Sequence, residues 1–252
     1  MTHCASGRRV RLAAIAAGVA GVVFATSPAL AQDISVNFGQ GSGLTERVLQ
    51  LIALLTVLSL APSILVMMTS FTRIVVVLSL LRTALGTATA PPNAVIVSLA
   101  LFLTAFVMGP ALQRTYESGI RPLVANEITA EQAFERGSGP LREFMQRNVR
   151  DKDLKLFVDM SNQPVPEKPE DLSLRVLVPA FMISELKRAF EIGFLLFLPF
   201  LIIDLVVASV LMSMGMMMLP PVVVSLPFKL IFFVLVDGWS LVAGSLIQSY
   251  GT

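Results

Sequence analysis

Charge is almost absent from two long stretches of this chain, and that absence limits what it can fold into. Between Val48 and Leu112 the charged residues are Arg73 and Arg82; between Ile192 and Thr252 they are Asp204, Lys229 and Asp237. From Gln113 to Glu191, by contrast, acids and bases are dense and nearly balanced. The plan is apolar, polar, apolar. Charged residues are 14% of the chain, against roughly 25% in soluble domains. With 55% hydrophobic residues and a mean hydropathy of +0.77, the sequence reads as an integral membrane protein. A net charge of +2 says little about partners, and no nucleic-acid partner is expected.

The N-terminus reads as a secretory leader. Arg8, Arg9 and Arg11 precede a short apolar stretch from Leu12 to Phe24, and Ala29-Leu30-Ala31 supplies small residues for cleavage before Gln32. The alternative, a first membrane anchor, needs roughly 20 apolar residues and is poorly served by so short a stretch. Cleavage has a chemical consequence, because His3 and Cys4 are the chain's histidine and cysteine. The mature chain is then without thiol or imidazole, which excludes Cys or His metal sites and nucleophile–histidine dyads. Phosphate-binding glycine motifs are also missing. No enzymatic activity, metal or cofactor is expected.

Four regions follow: a leader at 1–31, apolar helices at 32–112, a polar region at 113–191 and an apolar hairpin at 192–252. In the first apolar block, Leu44–Met68 and Ala94–Leu112 have the length of spans, joined by a connector that carries Arg73 and Arg82. Gly86 to Pro92, with two prolines, breaks the pattern. In the second block, Ile192–Leu219 and Val222–Ile247 form the pair. Cleavage leaves the mature N-terminus outside, which puts the Arg-bearing connector inside, in line with the positive-inside rule. The polar region then lies outside. It reads as folded and helical: Thr129-Ala-Glu-Gln132 fits a capping box, and Leu141, Phe144, Met145, Val149, Leu154, Phe157 and Val158 recur at helical spacing. Pro164–Pro169 reads as a stiff linker, and from Val178 the chain returns to helical character, with Glu185, Lys187, Arg188 and Glu191 leading into the next apolar segment.

Between the last two apolar segments lies Met212-Ser-Met-Gly-Met-Met-Met-Leu-Pro-Pro221. Methionine is unbranched and polarizable and repacks around changing shapes. Gly215 frees the backbone, while Pro220 and Pro221 cannot continue a helix. Two readings stand: flexible core packing, or a soft seal. Asp204, Lys229 and Asp237 sit inside apolar stretches, where ionised groups must pair or face a bundle interior. Pairing of Asp204 with Lys229 across the hairpin, an ion path, and subunit contacts are the readings for these charges.

The runs Met67-Met-Thr-Ser-Phe-Thr-Arg-Ile74, Leu81-Arg-Thr-Ala-Leu-Gly86, Pro91-Pro-Asn93, Leu198-Pro-Phe-Leu-Ile-Ile-Asp204, Met214–Met218, Leu226-Pro-Phe-Lys229 and Leu235-Val-Asp-Gly-Trp239 resemble the FliP family of flagellar type III export gates, whose injectisome counterpart shares most of them. The resemblance covers nearly all of the chain from Leu51. It implies an all-α polytopic membrane protein of kinked helical hairpins with a helical periplasmic region. It also implies a helical cone in which a pentamer of this chain joins the Q and R export-gate proteins and the rest of the flagellar export apparatus. The cone would lie in the inner membrane at the flagellar basal body, passing unfolded flagellar subunits. In that resemblance Met216, Met217 and Met218 are the pore gasket, with Gly215, Pro220 and Pro221 as its hinge. Asp204, Lys229, Asp237, Arg73 and Arg82 become buried charges that pair or make subunit contacts.

Two other classes compete. A small-solute transporter uses broken helices in two matching halves, and no internal repeat is evident here. A non-conducting scaffold of a secretion base explains the buried charges but leaves the methionine triplet unexplained.

The leader yields the first testable outcome. Intact-mass measurement or N-terminal sequencing of the membrane-extracted protein is expected to give Gln32 as the first residue; retention of Met1–Ala31 in the assembled protein would contradict it.

Overall fold

The computed structural model describes residues 44–87, 89–161, 172–216 and 218–251, and the regular structure among them is helical throughout. The leader, its cleavage site and the Pro164–Pro169 linker lie outside the described residues. The chain divides into two units between Leu55 and Thr56. That boundary falls within the first helix, α1 (Leu44–Met67), whose opening turns are the described part of the first unit. The second unit holds the remaining helices: α2 (Phe71–Leu85), α3 (Asn93–Thr115), α4 (Arg121–Val124), α5 (Ala130–Asn148), α6 (Asp151–Ser161), α7 (Leu174–Ser213), α8 (Pro221–Leu235) and α9 (Gly238–Gln248).

The helices redraw the expected spans. A wide π-type turn at Tyr116–Ile120 joins α3 to α4. Together they form a 32-residue helical stretch, Asn93–Val124, long and apolar enough to cross a membrane. Helix α7 qualifies too, but it is 40 residues long and starts at Leu174 rather than Ile192. Nothing near Glu191 stops it. Glu185, Lys187, Arg188 and Glu191 are good helix formers, and Pro179 and Pro199 are absorbed within the helix. The expected last span, Val222–Ile247, is instead two helices bent by 64° at Val236–Asp237. Helix α1 carries a shorter apolar stretch, Val48–Leu60.

The largest departure is the segment read as a connector. Helix α2 is the most enclosed element: Arg73, Ile74, Val77, Leu78, Leu81, Ala84 and Leu85 are all buried. Its 15 residues give a rod of about 22 Å, too short for a hydrocarbon layer of roughly 30 Å. It lies alongside α7 and runs in the same direction. Thr72 approaches Met182 and Arg73 approaches Glu185, at sequence separations of 110 and 112. Two turns on, a Cβ placed on Gly193 would meet the Leu80 side chain, so the register holds along the contact. Around α2 packs the main core, with Ile96 and Ala100 of α3, Ala189 and Phe200 of α7, Phe233 of α8, and Val242 and Leu246 of α9.

The polar region folds onto one end of this assembly. Its helix α5 opens on the capping box: Gln132 N–H donates to Thr129 Oγ1 and Thr129 N–H to Gln132 Oε1. The apolar stripe read from the sequence is its contact face. Leu141, Met145 and Val149 are buried against Met108 and Ala111 of α3 and Val176, Leu177, Ala180 and Phe181 of α7, with Phe144, Leu154, Phe157 and Val158 flanking them. Polar bonds dock α6. Arg150 grips Asp153 with Nε and Nη2 (2.8 and 2.9 Å), and Ser184 of α7 donates to the same carboxylate at 2.7 Å. The Arg150 bond, seconded by Ser184, holds the Asp153 carboxyl below the usual carboxylate range.

Helix α5 also crosses the π-type turn at very close range. A Cβ on Gly119 would stand 2.8 Å from the Ala133 carbonyl oxygen and 2.9 Å from Gly137 Cα, both backbone atoms, whereas one on Gly139 would meet nothing within 4 Å. Gly119→Ala is therefore expected to push the two elements apart and destabilise by about 1–3 kcal/mol. Gly139→Ala brings a Cβ only against the following Pro140 and gains helix propensity, so it should cost clearly less than Gly119→Ala. Thermal unfolding of the detergent-solubilised protein checks both, and equal behaviour of the two variants would contradict the close crossing.

Candidate functional site: a methionine turn braced by charge pairs

Helix α7 ends because of Gly215. With φ of +75°, this glycine takes the left-handed conformation that other residues resist, and the chain turns back. Met216 N–H bonds the Leu211 carbonyl at 3.0 Å and Gly215 N–H bonds that of Met212 at 3.1 Å. This is the paired arrangement of a Schellman cap. Met214 occupies the last half-helical position. Beyond the turn, Pro220 stands in extended conformation and Pro221 opens α8, where its missing N–H costs nothing. The hinge is built from residues with fixed conformational preferences, and the methionines ride on it.

Those methionines face outward. Met212, Met214 and Met216 are exposed, and Met218 is 98% exposed; Met217 lies outside the described residues. Core packing within this chain is thereby excluded for the described members of the run. Below the turn, the facing sides of α7 and α8 leave an apolar groove of about 570 Å³, lined by Ile202, Val206, Val210, Val224, Phe228 and Phe232.

The two arms are fastened a few turns from the tip. Lys229 Nζ of α8 lies 2.6 Å from Asp204 Oδ2 of α7, and Ser225 donates to the other carboxylate oxygen at 2.5 Å. Lys229 also donates to the Ala84 carbonyl at 3.1 Å. That carbonyl belongs to the last turn of α2, where backbone acceptors have no helical partner and a cation is favoured. One ammonium thus joins three helices. Its side chain is 3% exposed against 24% for the aspartate, so the lysine is the more committed partner.

A second buried charge sits at the opposite end of α2. Arg73 is fully buried and makes a bidentate ion pair with Glu185 of α7, its Nε at 2.9 Å from Oε2 and its Nη2 on Oε1. Its remaining nitrogen, Nη1, donates to Ser249 Oγ at 2.9 Å and to the Ser249 carbonyl at 3.2 Å. The Tyr250 ring lies against the guanidinium, 3.8 Å from the ring centroid.

Two of the expected buried charges are not buried. Asp237 is exposed. It stands where α8 ends and α9 begins, with φ of +50°, a conformation that aspartate tolerates better than most residues. The bend between the two helices leaves its carboxylate exposed within this chain, so it pairs with no buried cation among the described residues and is available for a subunit contact. Arg82 is half-buried and braces a loop, with Nη1 donating to Asn93 Oδ1 at 2.5 Å and to the Pro91 carbonyl at 3.3 Å.

Several site residues escape a reading of the sequence. Glu185 is embedded among Lys187, Arg188 and Glu191, and spacing alone does not say which of them faces inward. Ser249 and Tyr250 lie at the far end of the chain from Arg73. Ser225 was findable, because it lies one helical turn before Lys229 on the same face.

A family model described as the FliP family matches residues 54–246. The chain is 61% identical over 249 residues to the flagellar biosynthetic protein FliP of Caulobacter vibrioides, covering 98% of this chain and 94% of that one. It is 55% identical over 201 residues to the protein of the same name from Bacillus subtilis, covering 80% and 91%. For the Aquifex aeolicus protein, also of that name, identity is 49% over 233 residues, covering 92% and 95%.

The brace between the arms makes an asymmetric prediction. Removing one partner of a buried ion pair costs about 3–5 kcal/mol because the other charge is left uncompensated. Asp204→Ala strands a nearly buried ammonium and should reach the upper part of that range. Lys229→Ala strands a partly exposed carboxylate that keeps its serine and should cost less. Changing both to apolar residues of similar size should recover much of the loss. Unfolding midpoints of the four proteins check this, and strict additivity of the two single changes would contradict pairing.

Proposed function

The chain belongs to the FliP family, and from that premise we propose that it is a wall-forming subunit of the flagellar type III protein-export gate. In this reading several copies, five by analogy with the family, assemble with the Q and R export-gate proteins in the inner membrane. The helices between Gln113 and Glu191 are placed on the periplasmic side, and unfolded flagellar subunits pass through the centre of the assembly. The observation that carries the reading is the methionine turn, which holds exposed thioethers at the tip of a hairpin braced by the Asp204–Lys229 pair.

The physics of an export pore explains the choice of residue. The closed channel must exclude water and ions yet admit side chains of every size and charge. An apolar constriction closes by dewetting. β-Branched aliphatic side chains would make such a ring stiff, while methionine keeps it apolar and deformable. A cyclic arrangement turns one exposed loop into a collar, because each subunit contributes the same atoms around the axis. Gly215 and Pro220-Pro221 let the loop yield without unwinding α7 or α8. The brace of Asp204 and Lys229 holds the arms together below it. In this reading the buried charges are structural, and the energy for transport comes from other parts of the apparatus.

The experiment replaces Met216, Met217 and Met218 together by alanine and follows complex abundance, membrane conductance and motility in one strain. Shorter side chains widen the constriction, so conductance to small ions is expected to rise at near-normal abundance while export continues. Replacement by valine should slow export more than it raises leakage. Normal abundance with unchanged conductance in the triple-alanine strain would overturn the seal.

A further inference from the structure

We infer that Tyr250 is a positioning residue, a latch that fixes the C-terminal helix to the buried Arg73–Glu185 pair and through it restrains the methionine turn. The inference rests on the proposed seal for its functional meaning, but its geometry is independent of it.

One side chain, one residue from the end of the described chain, touches three other helices. The Tyr250 hydroxyl donates to Glu185 Oε2 of α7 and lies 3.4 Å from the Ser70 carbonyl at the start of α2. Its ring carries the Arg73 guanidinium at 3.8 Å and stacks with Phe144 of α5, centroids 5.8 Å apart and planes at 24°. The neighbouring Ser249 takes both bonds from Arg73 Nη1. Arginine has five N–H donors and stays charged. With the tail in place, Nε and Nη2 point to Glu185, and Nη1 is satisfied by the tail. With the tail gone, Nη1 loses both of those acceptors in a fully buried site, which is costly. The ion pair therefore holds the tail, and the tail completes the ion pair.

The bond at the tail has a mechanical reach. Helix α9 has 11 residues and α8 has 15, rods of about 16 and 22 Å. They meet at the 64° bend, and the far end of α8 carries the methionine turn. Helix α8 is thus held directly by Lys229 on Asp204 and Ala84, by Phe233 in the main core, and at its base through α9, whose end the latch fixes. Releasing the latch leaves the lysine tie and the apolar contacts, so the arms stay together, but it removes the polar restraint on α9 and loosens the base of α8. This predicts a loosened turn in an assembled protein.

The test combines a probe beneath the latch with two latch variants. Because Cys4 is the chain's cysteine and precedes the expected cleavage site, Ser70→Cys provides a single thiol at a fully buried side chain under the tail, and its rate of reaction with a maleimide reports how often the tail lifts. Tyr250→Phe keeps the ring and removes the hydroxyl, whose bond to a charged acceptor corresponds to about a tenfold change in an equilibrium. Labelling at Ser70→Cys in the assembled complex should rise by about that factor in Tyr250→Phe and by more in Tyr250→Ala, with conductance rising in the same order. Unchanged labelling in Tyr250→Phe overturns the latch, and it decides the matter even if Tyr250→Ala does not assemble. The triple-alanine strain separates the two claims. Faster labelling in Tyr250→Phe with no leak in the triple-alanine strain supports the latch and removes the seal. A leaky triple-alanine strain with unchanged labelling in Tyr250→Phe does the reverse.

Discussion

A guanidinium buried inside an apolar protein dictates much of this architecture. Arg73 is fully enclosed, and an arginine cannot shed its charge to escape the cost of burial. Only a carboxylate placed bidentate beside it makes the site tolerable. Glu185 meets that need, and in doing so fixes α2 against α7 in one register and one direction. Near the other end of α2, Lys229 joins the α2 terminus to Asp204 of the same long helix. Two charged ties, an ion pair near one end and the Lys229 ammonium on the Ala84 carbonyl near the other, pin the short helix like a splint along α7 between Glu185 and Asp204. Non-directional apolar packing between Ile74, Val77, Leu78, Leu81 and their neighbours fills the space between the ties but would not by itself choose a register.

This arrangement sorts the molecule into a stiff part and a compliant one. The stiff part is the splinted region with its covering of α3, α5 and α9. The compliant part is the tip of the α7–α8 hairpin, where the chain beyond Asp204 has no further ionic brace among the described residues and ends in methionines on a glycine–proline hinge. The proposed seal, which would have to open for varied cargo, needs such a division: rigidity below, so that copies would hold a common geometry, and softness at the tip.

How much of this was legible in the sequence depends on whether the signal was local. The helical class, the capping box at Thr129, the stripe from Leu141 to Val158 and the turn at Gly215–Pro221 were readable, because each rests on residues within a few turns of one another. Asp204 and Lys229 flank that turn symmetrically enough to suggest an approach across it. Other features were not readable. Hydropathy marked α2 as apolar but could not say that it packs inside rather than linking two spans, since a buried helix and a short membrane segment share that composition. The helical reading from Val178 anticipates most of the extension of α7, because Glu185, Lys187, Arg188 and Glu191 are good helix formers; the start at Leu174 lies one turn earlier. The Arg73 node joins residues separated by 112 and 176 positions, and no periodicity links them. The bend at Asp237 was not readable either, because its apolar neighbours on both sides read as one continuous helix; exposed within this chain, the carboxylate keeps the subunit-contact reading open.

The central claim is that the exposed methionine turn is a shared closure and not a surface that meets lipid. It is tested most directly by a density map of the assembled complex, extracted with its partners and resolved well enough to trace α7 and α8. The account predicts that Met216–Met218 from all copies converge on one central axis and occlude it, with the Asp204–Lys229 braces arranged around the outside of that ring. A map in which the turns point outward into the surrounding lipid or detergent, leaving the axis lined by other residues, would contradict it.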